Sequence, residues 1–332
     1  MELKKLVSCN PHVACVLALC VVLSSSVLGQ KGIGATSSQS TVSAGNPQQN
    51  TGRNLRVETT LVLIPVAVTD SSNRFVLGLQ KEDFQLLEDG VTQEVAHFSG
   101  EDAPLSVGLV FDESGSMGYK LRTSQAALAQ FLKTMTADDE AFLVEFRDTA
   151  RLSVGFTAHT EEVQNALKMV QPGGLTALLD AINLGLRGMK KAKNSRKAIV
   201  IISDGGDNHS HYTATEIESL VREADVQIYA MGVFEPSLPF PLTPEEVDGP
   251  RLLSEIATQT GGRAFAAALT SDLPSVAARI AVELRNQYVL GYYPKNRARD
   301  GKYRKVEVKL SQPRGIAPLK AHWRLGYYAP AQ

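Results

Sequence analysis

The chain has 332 residues, 43% of them hydrophobic and 21% charged, with a formal charge of −1. That is length enough for a sizeable core and for more than one domain. The near-neutral balance excludes any global drive toward nucleic acid or acidic membranes, so nucleic acid is not an expected partner.

The first residues read as a processing signal. Lys4 and Lys5 precede an apolar run from Val13 to Leu23, and small residues lead to Gly29. A basic start, a short apolar middle and a small-residue end are the layout of a secretory signal peptide, expected here over 1–29. The run is short for a membrane span, so membrane association is expected only if this segment stays uncleaved. The three cysteines, Cys9, Cys15 and Cys20, all lie in it. A mature chain would hold no disulfide and would rely on packing outside the cytoplasm, in a secreted, periplasmic or envelope location. Residues 30–53 are rich in Gly, Ser, Thr, Gln and Asn and read as a flexible linker.

Residues 54–103 are strand-like. Val57 to Val68 alternates, and Phe84 to Val91 reads as a hairpin turning at Asp89-Gly90, with Val95 to Phe98 as the return strand. From 104 to 285 the pattern changes to strands alternating with helices. Strands are expected at 106–111, 141–147, 150–155, 197–203, 227–233 and 263–267. Helices are expected near 121–135, 160–170, 176–190, 214–224, 251–260 and 272–285. Only the second and third strands are close enough for a hairpin; helical crossovers separate the rest. This gives an α/β fold with a doubly wound, mostly parallel, six-stranded sheet carrying one antiparallel edge strand. Residues 286–332 return to strands and repeat one ending, Leu290-Gly291-Tyr292-Tyr293 and Leu325-Gly326-Tyr327-Tyr328. The repeat suggests equivalent places in one small sheet, with the tyrosines either packing it or offering a sugar- or peptide-binding surface. Residues 54–103 and 286–332 are expected to pair as a small β-sandwich-like domain into which the α/β domain is inserted.

Three stretches carry chemistry. Asp112-Glu113-Ser114-Gly115-Ser116 follows the first strand of the α/β region. Gly173-Gly174-Leu175-Thr176 precedes its third helix, and Ser203-Asp204-Gly205 follows its fourth strand. If the fourth strand lies beside the first, where the winding reverses, these loops meet at the carboxyl edge of the sheet, where open α/β folds bind ligands. Asp112, Ser114, Ser116, Thr176 and Asp204 then supply two carboxylates and three hydroxyls. Hard oxygen donors without imidazole or thiolate suit Mg²⁺ first, or Mn²⁺ or Ca²⁺, and argue against zinc. Neutral hydroxyls leave such an ion residual charge and a position that a partner's carboxylate can take.

In these residues, the chain resembles the von Willebrand factor type A (VWA) domains, whose metal-ion-dependent adhesion site has a DxSxS, a Thr and an Asp in this order. The likeness covers about 104–285. Asp83-Phe84, Glu88-Asp89-Gly90 and Leu290 to Tyr293 further resemble the flanks of a secreted bacterial VWFA-related group. The resemblance implies a non-catalytic, adhesion-type module that coordinates an acidic residue of a partner protein. The alternative is a structural module of an envelope assembly whose ion mainly stabilises the fold. A metal-dependent hydrolase is a third reading, weakened because Ser114 breaks the Gly-x-Ser-x-Gly spacing around Ser116.

Around this rim, the proline-rich stretch Glu235 to Pro250 with Phe240 reads either as a specificity loop or as a structural insertion. His209 and His211 read either as partner-facing residues, as a second metal site, or as plain loop histidines. Asn208-His209-Ser210 matches the glycosylation triplet.

Overall fold

The run Leu105 to Asp112 has no polar alternation because both of its faces are covered. It forms the central strand of the six-stranded sheet in the computed structural model, which describes residues 60–100, 102–234, 242–267, 269–311 and 318–331. All of these fall in one unit, Val57–Gln332. The expected signal and linker segments, and Phe240, lie outside the described residues.

The strands in chain order begin with β1 (Val62–Thr69), β2 (Phe84–Glu88), β3 (Val91–Gln93) and β4 (Val95–Ser99). The α/β region then runs β5 (Leu105–Asp112), α1 (Leu121–Leu132), β6 (Glu140–Phe146), β7 (Ala150–Thr157), α2 (Thr160–Lys168), α3 (Leu178–Met189) and β8 (Arg196–Ser203). It continues with α4 (Ala214–Glu223), β9 (Gln227–Val233), α5 (Pro244–Gln259), β10 (Ala264–Ala267) and α6 (Leu273–Arg285). The last strands are β11 (Tyr288–Tyr292), β12 (Tyr303–Leu310), β13 (Lys320–Trp323) and β14 (Gly326–Tyr328).

The large sheet has the order β10-β9-β8-β5-β6-β7. β7 runs antiparallel to β6 at one edge, and the remaining pairs are parallel. The doubly wound, mostly parallel six-stranded sheet expected from the alternation is therefore present. One face packs Leu109 and Phe111 against Leu128 and Phe131 of α1 and Ile280 and Leu284 of α6. The other packs Val110 against Ile182 of α3 and Leu253 and Ile256 of α5. Burial on both faces is why these strands read as continuous apolar runs. A side chain on Gly108 would strike the ring of Phe142, and one on Gly188 would come within 2.9 Å of it. The missing side chains let α3 lie close over the sheet.

Two further four-stranded sheets, β13-β1-β11-β4 and β14-β12-β2-β3, combine N- and C-terminal strands. Their inner faces share one core, including Val66, Leu86, Leu290, Tyr292 and Val308. Burial alternates along β12, as expected of a strand with one wet face.

Three expectations are corrected. The return strand of the Asp89-Gly90 hairpin is β3, pairing Glu88 with Val91, while β4 crosses to β11. Asp89 and Gly90 have φ of 48° and 79°, the primed turn that fixes this short register. The two Leu-Gly-Tyr-Tyr endings lie in different sheets, β11 and β14, rather than one. Finally, Pro244 to Pro250, read as loop, forms the first turns of α5. Thr243 and Glu246 make a reciprocal capping box, and Pro244 sits at the helix start, where its missing N–H costs nothing.

Candidate metal centre

β5 and β8 are parallel neighbours with Phe111 opposite Ile202, so the residues that end them, Asp112 and Ser203, emerge together. The chain leaves β5 toward β6 on one side and later returns to β8 on the other, which makes this edge the switch point of the sheet.

The three loops are tied to one another by backbone and side-chain hydrogen bonds. Ser203 Oγ donates to Asp112 Oδ2 at 2.6 Å, and the Ser114 N–H donates to Asp112 Oδ1 at 2.9 Å. The hydroxyls of Ser114 and Ser116 are 3.1 Å apart. The Gly115 N–H donates to Gly174 O, and the Gly173 N–H to Glu113 O, which pins the first loop to the second. The Thr176 N–H donates to Asn208 Oδ1 at 2.9 Å, while Thr176 O accepts from the N–H groups of Asn208 and His209, each at 3.0 Å. The second loop is thereby fastened to the third. Gly205 adopts φ of 82°, and a Cβ there would lie 2.7 Å from the Gly249 Cα, so α5 buttresses the Asp204 turn backbone to backbone.

All five candidate ligands thus lie on adjoining loops at one sheet edge. Asp112, Ser114, Thr176 and Asp204 are buried, and Ser116 is half-buried. Burial, with the nearby Asp204 charge adding to it, pushes the Asp112 carboxyl up to about 7. Asp204 divides its oxygens. Oδ2 takes the Lys120 ammonium at 2.9 Å, whereas Oδ1 is buried and has no hydrogen-bond partner among the described residues. Buried carboxylate oxygens are nearly always met by donors, so an unmet one invites an explanation. A hard cation fits: two acids, neutral hydroxyls and an acceptor-only oxygen are its usual surroundings. Asp112, Ser114, Ser116, Thr176 and Asp204 are the residues that would hold it.

No side-chain contact joins the rim histidines to these five residues among the described hydrogen bonds. His211 Nδ1 lies 2.8 Å from Asp180 Oδ2 at the start of α3, and its ring is otherwise exposed. His209 contributes its backbone N–H to Thr176 O. Among the described residues no group of three or more His, Cys, Asp or Glu side chains assembles, at these histidines or at the candidate centre, whose donors are two carboxylates and three hydroxyls. Sequence reasoning missed three residues here: Lys120, Ser203 and Asn208. Ser203 adjoins a candidate ligand, which was a usable signal. Asn208 was read only as part of a glycosylation triplet, yet its amide oxygen holds Thr176.

Residues 107–206 match the family model of the von Willebrand factor type A domain. The matched VWA stretch includes all three loops. Cuticlin-6 of Caenorhabditis elegans is 30% identical over 152 residues, covering 43% of this chain and 26% of that protein. An uncharacterized protein of Borreliella burgdorferi is 26% identical over 181 residues, covering 48% and 53%. The chain thus spans between about a quarter and about half of these relatives' length. Among solved structures, the vWF domain of the type V pili tip protein Mfa5 from Porphyromonas gingivalis aligns with a TM-score of 0.46 at 14% identity, over 55% of this chain and 95% of that one. BatB from Bacteroides thetaiotaomicron aligns at 0.44 and 19%, over 54% and 98%.

Proposed function

We propose that this chain is a non-catalytic, adhesion-type protein-binding module. It holds a divalent cation, Mg²⁺ before Mn²⁺ or Ca²⁺, at Asp112, Ser114, Ser116, Thr176 and Asp204, and offers the remaining position to a carboxylate of a partner protein. The observation that carries this reading is the buried Asp204 Oδ1, without a hydrogen-bond partner among the described residues, at the switch point of the sheet where Asp112 also emerges. The VWA match over the same loops supports it. The bound ion would supply a Lewis-acidic point for the partner's acid. The chain's own part is to fix the donors: Ser203 orients Asp112, Asn208 positions Thr176, and Gly205 shapes the Asp204 turn. With its N-terminal segment read as a signal, the module works outside the cytoplasm, secreted or in the envelope.

The test is capture of envelope proteins of the source organism on immobilised protein, with Mg²⁺, with EDTA, and for Thr176→Ala. Capture lost in EDTA and in the variant is expected. Capture that persists in EDTA, with only the melting temperature changed, would instead assign the ion to fold stability in an envelope assembly.

A further inference from the structure

Lys120 stands inside the acidic site. Its Nζ lies 2.9 Å from Asp204 Oδ2, and both side chains are only 4% exposed. Lysine is almost never buried to this degree unless paired. A short 3-10 helix, Gly115–Lys120, carries it there, anchored by the fully buried Met117. The Tyr119 ring lies 5.6 Å from the same ammonium. Two other buried acids nearby take cations from elsewhere: Arg151 lies 3.4 Å from Glu113 and 2.9 Å from Glu145 Oε2, and Arg147 lies 3.9 Å from Glu113, while Glu145 Oε1, like Asp204 Oδ1, meets no donor among the described residues. The ion pair that Lys120 makes is with Asp204.

We propose that Lys120 is a resident counter-cation that shares Asp204 with the divalent ion and sets how tightly the ion is held. This rests on the metal-binding reading above. Lys120 takes Oδ2 and leaves Oδ1 for the ion. Without the ion, its charge offsets the repulsion between Asp112 and Asp204, so the metal-free fold is a stable state. With the ion, the ammonium opposes a second cation a few ångströms away in a buried setting, which weakens binding. The two carboxylates balance a divalent ion, and Lys120 then adds one positive charge. The loaded site is thereby left electrophilic toward an anionic group.

The experiment titrates Mn²⁺ into the full chain and follows melting in EDTA and in saturating Mn²⁺, for wild type, Lys120→Gln, Lys120→Met and Lys120→Arg. Gln keeps a donor for Asp204 and loses the charge; Arg keeps the charge. Lys120→Gln and Lys120→Met are expected to bind Mn²⁺ at least about tenfold more tightly, to melt lower in EDTA, and to gain more from Mn²⁺. Lys120→Arg should stay within about threefold of wild type. If Lys120→Met does not fold, Lys120→Gln decides the comparison. Wild-type binding with equal or weaker binding by the Gln variant would overturn the proposal alone. No Mn²⁺ binding by any of the four proteins would overturn the metal-site reading, and the proposal with it.

Discussion

Glu88, between the two four-stranded sheets, receives the hydroxyls of Tyr292 and Tyr327, each at 2.7 Å on Oε2. Asp204, at the edge of the six-stranded sheet, is about as buried, yet its Oδ1 meets no donor among the described residues. The sandwich meets Oε2 of its acid with two neutral donors, one from each sheet. At the α/β edge the acid has the Lys120 ammonium on Oδ2, while the hydroxyls of Ser114 and Ser116 meet each other and that of Ser203 meets Asp112. Tyr292 and Tyr327 show the consequence from the donor side: burial and the adjoining Glu88 push both phenols well above their ordinary range, which keeps them as donors. An acid with its partners built in holds a fold together, and an acid left short of them has room for a ligand.

The contrast gives its largest effect at Glu88. Glu88→Ala would leave the buried Tyr292 hydroxyl and the half-buried Tyr327 hydroxyl without their acceptor, at a cost of about 2–5 kcal/mol. Urea unfolding should show this loss equally in Mg²⁺ and in EDTA. Asp112→Asn should behave in the opposite way. It removes a charge that burial and Asp204 disfavour, so stability in EDTA should be unchanged or higher. The ion-linked stabilisation should vanish, a loss of about 2.7 kcal/mol at a hundredfold excess of ion over its dissociation constant.

The pH dependence follows from the same carboxyl. The Asp112 pKa is raised on folding, so the metal-free fold holds this proton more tightly than the unfolded chain. That contribution is complete below the ordinary carboxylate range near pH ~4 and is lost as pH rises through about 7. Melting in EDTA should therefore fall between about pH 5 and about pH 8, while Mg²⁺ affinity rises over that window because the ion must displace the proton. The smallest effect is expected at Asn208. Asn208→Ala removes the acceptor for the Thr176 N–H, costing about 1 kcal/mol of stability. Calorimetry should also show Mg²⁺ binding weakened several-fold, because Thr176 is no longer held against the third loop.

Much of the α/β region was legible because its strands are buried on both faces and its candidate ligands sit in short, recognisable stretches at strand ends. Asp112 and Asp204 could be placed at one edge by setting the fourth strand beside the first, and Thr176 by the direction of the helix that follows it. Lys120, Ser203 and Asn208 could not, because their roles depend on register and on loop packing. Ser203 reaches Asp112 only because Phe111 pairs with Ile202. Lys120 reaches Asp204 only because a 3-10 turn, rather than an immediate α-helix, follows the first loop. The repeated Leu-Gly-Tyr-Tyr suggested one sheet, since local pattern cannot tell neighbours within a sheet from partners across two. The tyrosines are nevertheless equivalent in a different sense, both meeting at Glu88.

The most direct test of the account is calorimetric titration of Mn²⁺ into wild type and Asp112→Asn, with circular dichroism confirming that both are folded. Saturable binding of a single ion by wild type and none by Asp112→Asn is expected. Equal binding by the two proteins, or no binding by wild type, would contradict it.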